Sequence, residues 1–218
     1  MTPGATCAEW PRRRTPTSGT AAGHAWRLLA ALALVAAACA FARGLYLEAK
    51  ATLGQVLLER AWLASKARGE EVKPWPWADM HPVARLRAPA QHADLIVLAG
   101  ATGRTLAWGP GHLDGSARAG EPGNAVFTAH RDTHFAFLAG VRPGDRLVVE
   151  RPDGEQVDFR VDATAVVSVD ALRLRAVTAR PTLTLVTCYP FDAIAPNTRW
   201  RYVVSATRVT PAAGAAGA

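Results

Sequence analysis

Residues 26–42 read WRLLAALALVAAACAFA, seventeen residues whose one charge, Arg27, lies near the start. A helix crossing the hydrocarbon core needs roughly 20 apolar residues, with about 17 at the short end. Leu45, Tyr46 and Leu47 extend the run, and Arg43 can snorkel to the interface. The run therefore predicts a transmembrane signal-anchor over 26–47 that contacts the lipid bilayer. A cleaved signal peptide is the alternative, because Ala38-Cys39-Ala40 offers a small-x-small pattern. The length of the run favours an anchor that stays.

Charge then orients the chain. Lys and Arg total 25 against 18 Asp and Glu, a net charge of +7. Residues 1–50 hold six of the basic and two of the acidic side chains, so more than half of the excess lies ahead of the bulk of the chain. The densest basic cluster, Arg12-Arg13-Arg14, precedes the apolar run, which predicts a cytoplasmic basic tail over 1–25 and an exported remainder. A nucleic-acid binder would concentrate that charge on its folded part with aromatics interleaved, so no nucleic-acid partner is expected.

Beyond the anchor, Leu53, Val56, Leu57, Ala61, Leu63 and Ala64 mostly follow helical spacing, predicting a juxtamembrane helix and linker over 48–72. Gly69 and Lys73-Pro74-Trp75-Pro76-Trp77 end it, and the two tryptophans are expected to pack on the domain rather than on lipid. Past Pro82 the chain breaks into short apolar stretches at 95–99, 125–129, 146–151, 157–169, 182–188 and 201–209. Pro152-Asp153-Gly154 between two of them is a hairpin signal. Short strands without long helices between them predict a mainly β fold, an antiparallel barrel or sandwich. Residues 210–218, rich in Ala and Gly, are expected to form a disordered C-terminal tail.

Of the three cysteines, Cys7 falls in the basic tail and Cys39 in the apolar run, leaving Cys188 alone in the exported part. A lone exported thiol is a buried hydrophobe, an intermolecular disulfide or a nucleophile. In TLTLVTCYPF, Thr182, Thr184 and Val186 share one strand face and Leu183, Leu185 and Thr187 the other, and Cys188 falls where the strand ends before Tyr189-Pro190. Such a thiol needs a base or a positive field to react. His130 follows the apolar stretch 125–129, and Arg201 opens RYVVSA, where a hairpin can return it beside the thiol. Arg199 is its competitor on the same strand face.

His112, His130, His134 and Cys188 have the chemistry for zinc, but no Cys-x-x-Cys is present and Arg131 replaces the glutamate of HExxH. Gly109-Pro110-Gly111 lacks phosphate-loop spacing. No metal and no cofactor are expected.

Together, the TLxTC strand, the histidine in GNAVFTAHRDTHF and the arginine in RYVV resemble the sortase transpeptidases. KPWPWAD at 73–79, LAGATGRTLAWGPGH at 98–112, GNAVFTAHRDTHFAFL at 123–138 and LTLVTCYPFDA at 183–193 resemble the class GN sortases of Gram-negative bacteria. The resemblance implies a sortase-like eight-stranded β-barrel over 73–209. It also implies a catalytic set: Cys188 as nucleophile, His130 as general acid and base, Arg201 as substrate holder and oxyanion stabiliser, with Thr187 in substrate binding. Arg201 is preferred to Arg199 because the apolar Tyr202-Val203-Val204 follows it directly, and His134 is assigned to loop packing.

The implied substrate is a protein with a C-terminal LPxTG-like sorting signal, cleaved through a thioacyl enzyme and passed to an amine acceptor. The implied location is the periplasmic side of the inner membrane. A periplasmic cysteine peptidase, in which water resolves the thioester, keeps the same site. A non-enzymatic envelope scaffold would need Cys188 merely buried.

Overall fold

A computed structural model describes residues 19–175, 177–193 and 198–209. The basic tail up to residue 18 and the tail over 210–218 lie outside the described residues. The chain divides into two compact units, Met1–Ala49 and Lys50–Ala218. A single helix, α1 (Gly19–Arg68), supplies the described part of the first and opens the second. It contains no proline and is rich in Ala and Leu, which lose little side-chain entropy on becoming helical. Its stretch from Trp26 onward is long and apolar enough to cross a membrane. Gly69, at a φ of 69°, ends it, its N–H reaching back to the Ser65 carbonyl at 2.9 Å.

Within the second unit, the buried stripe of α1 is not the one its largest apolar residues suggest. Leu53, Val56 and Leu63 are exposed, whereas Leu58, Ala61, Trp62 and Ser65 are buried. Those four positions follow the three-and-four spacing of one helix face. Leu58 and Trp62 pack with Ala78, Met80, Ile96 and Leu98 in a small core outside the barrel, flanked by Trp75 and Trp108. Gly54 sits where any Cβ would strike the Trp108 ring, so the helix approaches closely only because that position has no side chain. The two tryptophans of the proline segment part company: Trp75 meets Trp108 edge to face at 5.0 Å, while Trp77 is exposed.

The rest of the unit is a closed barrel of β1 (Pro82–Ala88), β2 (Ala93–Ala99), β3 (Gly111–His112), β4 (Asn124–Thr128), β5 (Arg146–Glu150), β6 (Gln156–Ser168), β7 (Thr182–Tyr189) and β8 (Trp200–Arg208). The order around it is β1-β2-β3-β4-β7-β8-β6-β5. A one-turn helix, α2 (Gly103–Leu106), lies between β2 and β3. Pairing is antiparallel except for β2 with β3 and β4 with β7, which run parallel. The mainly β expectation resolves as a barrel, with its core inside: Leu86, Val97, Phe127, Leu147, Phe159, Leu183, Leu185 and Val204 are all buried. Fully burying side chains of this size contributes roughly 1.5–3 kcal/mol each.

Two strands carry little sequence signal. β1 turns only Pro82, Ala84, Leu86 and Ala88 inward and alternates them with Arg85 and Arg87, so its apolar period is faint. β3 is two residues long. The hairpin signal marks a real turn, with Gly154 at a φ of 85° and its N–H bonded to the Arg151 carbonyl at 2.9 Å. The outward arginines of β1 have partners: Arg85 binds Glu59 of α1 at 2.7 Å and Asp94 at 2.6 Å, and Arg87 shares the buried Glu150 carboxylate with Lys66. Both acids hold the Arg85 guanidinium firmly protonated.

Candidate active site

The parity of β7 decides which side chains can meet. Leu183 and Leu185 point into the barrel core, so Cys188 points the other way with Thr182, Thr184 and Val186. On β8 the residue paired with Cys188 is Arg201, and cross-strand partners share a face. Arg199 precedes β8 and makes an exposed ion pair with Asp170 at 2.8 Å. The ladder thus sets Arg201, and not Arg199, opposite Cys188. The strand also runs one residue further than expected: Tyr189 still pairs with Trp200, so Cys188 lies within the ladder on the β8 side.

On the β4 side the ladder stops earlier. Thr128 pairs with Val186, the Ala129 N–H reaches the Val186 carbonyl at 3.4 Å, and His130 is the next residue. His130 is therefore exposed where β4 ends, alongside the last residues of β7. The Phe135 N–H donates to the His130 carbonyl at 3.0 Å and closes the turn that follows.

Thr187 follows the strand parity read from the sequence. It is buried on the face opposite Cys188, and its hydroxyl donates to the Ala129 carbonyl at 2.8 Å. Its side chain ties β7 to the residue that precedes His130. Arg131, noted in the sequence only as standing where HExxH has its glutamate, is 8% exposed, and its guanidinium donates to Ala193 and Thr198 of the β7–β8 connection. No periodicity or motif marks Thr198 as a partner, because the pairing depends on two loops meeting.

The histidines also separate. His112 is bonded through Nε2 to the Ser116 hydroxyl at 2.9 Å and the Ala117 carbonyl at 3.0 Å, pinning its own loop. His134 is half-buried in the turn after His130, and burial first, then the His130 charge, lowers its pKa. Among the described residues no three His, Cys, Asp or Glu side chains gather as metal ligands.

A strand-borne thiol, an arginine directly across the ladder and an imidazole at the end of the neighbouring parallel strand have the residue types that acyl transfer through sulfur requires. The family model described as Sortase domain matches residues 86–209, from the middle of β1 past the end of β8. The chain belongs to the sortase family.

Sortase D of Bacillus subtilis (strain 168) is 31% identical over 126 residues, 57% of this chain, and this sortase spans 63% of that relative's length. Sortase A from Corynebacterium diphtheriae superposes with a TM-score of 0.55 at 27% identity, covering 72% of this chain and 84% of that one. A Clostridium perfringens Sortase D5 transpeptidase shares the fold, with a TM-score of 0.58 over 73% of this chain and 99% of its own at 18% identity. The eight-stranded barrel of this sortase is the architecture these structures share.

Proposed function

We propose that this sortase is a membrane-anchored cysteine transpeptidase of class GN. In this reading it cleaves an LPxTG-like C-terminal sorting signal on a substrate protein and transfers the acyl part to an amine. The pairing of Cys188 with Arg201 across β7 and β8 carries the reading, because cross-strand partners share a face and a cysteine beside an arginine suits attack on a carbonyl. The four class GN-like segments at 73–79, 98–112, 123–138 and 183–193 support the class.

The Cys188 thiolate attacks the carbonyl carbon of the scissile amide. A carbon–sulfur bond forms, and negative charge gathers on the carbonyl oxygen, where the Arg201 guanidinium stabilises it. As the carbon–nitrogen bond breaks, the imidazolium of His130 gives its proton to the departing amine. A thioester remains on Cys188. The incoming amine loses a proton to His130 as it attacks that thioester, and the new amide releases the thiolate. Thr187 serves this sequence by holding Ala129, and so the approach of the chain to His130, rather than by touching substrate.

The apolar stretch 26–47 of α1 would seat the chain in the inner membrane with residues 1–25 cytoplasmic. The catalytic barrel, proposed to extend over 73–209, would then work on the periplasmic side.

Intact-mass measurement of the detergent-solubilised chain incubated with LPxTG-like peptides, with and without an added amine, tests the reading. The expected result is an acyl adduct that Cys188→Ala abolishes and that converts to an amine-linked product. Free acid alone, despite abundant amine, would turn the reading to a peptidase. No adduct, with an alkylation-resistant Cys188, would turn it to a scaffold.

A further inference from the structure

We infer that Arg131 is a positioning residue of this site: it clamps the connection between β7 and β8 and, through Thr198, sets where Arg201 stands. The inference rests on the reading of Cys188, His130 and Arg201 as the reacting set.

Arginine is almost never buried to this degree without partners, and Arg131 is 8% exposed. Its Nη2 donates to the Ala193 carbonyl at 2.6 Å and its Nη1 to the Thr198 hydroxyl at 3.2 Å. Ala193 lies on the β7 side of the connection and Thr198 on the β8 side, so one planar guanidinium fastens both. Its rigid fork suits two acceptors at a fixed separation, whereas an ammonium is a single point of charge.

Thr198 is the junction. Its hydroxyl receives Arg131, and its carbonyl receives the Arg201 Nη1 at 2.6 Å, which also reaches the Trp200 carbonyl at 2.9 Å. A shift of Thr198 would move the acceptor that holds Arg201. Such a shift is opposed because a desolvated guanidinium stripped of its acceptors is costly. Arg131 also follows His130 directly, so the anchor of the connection and the imidazole belong to one short turn, closed by the Phe135 N–H on the His130 carbonyl. The clamp thus couples the loop after β4 to the loop after β7, and holds the imidazole and the guanidinium in register on either side of the thiol.

The test is peptide-cleavage kinetics on the full chain in detergent micelles, using a fluorogenic LPxTG-like peptide. Arg131→Met is expected to lower kcat/KM by about 10- to 100-fold, the scale of a sub-ångström to ångström misplacement of a reacting group. Arg131→Lys should recover only part of that loss, and Thr198→Val should show a smaller one. The decisive readout is a double-mutant cycle with Arg201→Lys. If Arg131 acts through Arg201, adding Arg131→Met to Arg201→Lys costs less than about two-fold more. A loss that multiplies in full in that background, or wild-type kcat/KM in Arg131→Met, overturns the inference. Should Arg131→Met fail to fold, Thr198→Val with Arg201→Lys completes the same cycle with the same two outcomes. Failure of the underlying reading looks different: Cys188→Ala and Arg201→Lys would themselves cleave at the wild-type rate.

Discussion

Cys188 and Arg201 face each other as partners in the β7–β8 ladder, one pair in from Tyr189 and Trp200 at its end. Their proximity is therefore a property of sheet register and holds as firmly as the ladder does. Arg201→Ala is expected to lower kcat/KM by about 10²- to 10³-fold, the scale seen when an oxyanion donor is removed. Arg199→Ala should stay within about two-fold, since an exposed ion pair such as its bond to Asp170 contributes little. Peptide-cleavage kinetics on the two variants decide, and equal losses would show that register does not select the arginine.

Thr187 provides a second test, because its hydroxyl points away from the thiol. Thr187→Val keeps the shape of the side chain and removes the donor to the Ala129 carbonyl. The expected cost is about 1–3 kcal/mol of stability, the penalty for an acceptor left without its partner in a buried place. A several-fold fall in kcat should accompany it, with KM little changed, because His130 and not the substrate loses its support. A rise in KM at constant kcat would instead show that Thr187 binds substrate.

Helix α1 offers a comparison within one turn. Trp62 is 1% exposed in the small core against Met80 and Leu98, and its neighbour Leu63 is 56% exposed. Trp62→Ala should cost about 3–5 kcal/mol and Leu63→Ala no more than about 0.5. Urea unfolding of the barrel signal in detergent measures both, and a loss at Leu63 equal to that at Trp62 would mean the buried face has been misassigned.

His134 gives the barrel a pH dependence of known sign. Burial, and then the His130 charge, hold its pKa below the ordinary 6.5, so the folded chain resists protonation at this site more than the unfolded chain does. Its contribution to stability is complete above about pH 6.5 and is lost as pH falls toward the lowered value. His134→Gln should flatten the decline in unfolding midpoint between about pH 7 and pH 5. An unchanged slope in the variant would exclude His134 as its source.

Much of this was readable along the chain, and the gaps have physical causes. Six of the strands were visible as apolar stretches, because their inward residues are large and their ends carry Gly, Pro or Asp. β1 was not, since small inward residues alternate with arginines whose partners Glu59, Asp94 and Glu150 are distant in sequence or on another strand. The helical spacing of α1 does not say which face is covered: Leu53, Val56 and Leu63 are exposed, and only a neighbour for Gly54, Leu58 and Trp62 selects the buried stripe. The face of Thr187 is legible from strand alternation, but its bond to the Ala129 carbonyl is not, because that partner lies on another strand's end, 58 residues away.

The sequence by itself determined the local chemistry: an apolar helix long enough for a bilayer, a β domain, and three reactive residue types each at the end of a strand. These follow from periodicity, turn residues and strand parity, which act over a few residues at a time. The tertiary structure alone decided which of those ends meet. Register set Arg201 rather than Arg199 across from Cys188, the parallel pairing of β4 with β7 brought His130 to the same end, and burial of Arg131 against Ala193 and Thr198 joined the two loops. Such long-range pairings arise from barrel closure and from the cost of leaving buried polar groups unmatched, and neither is written in any short stretch of the chain.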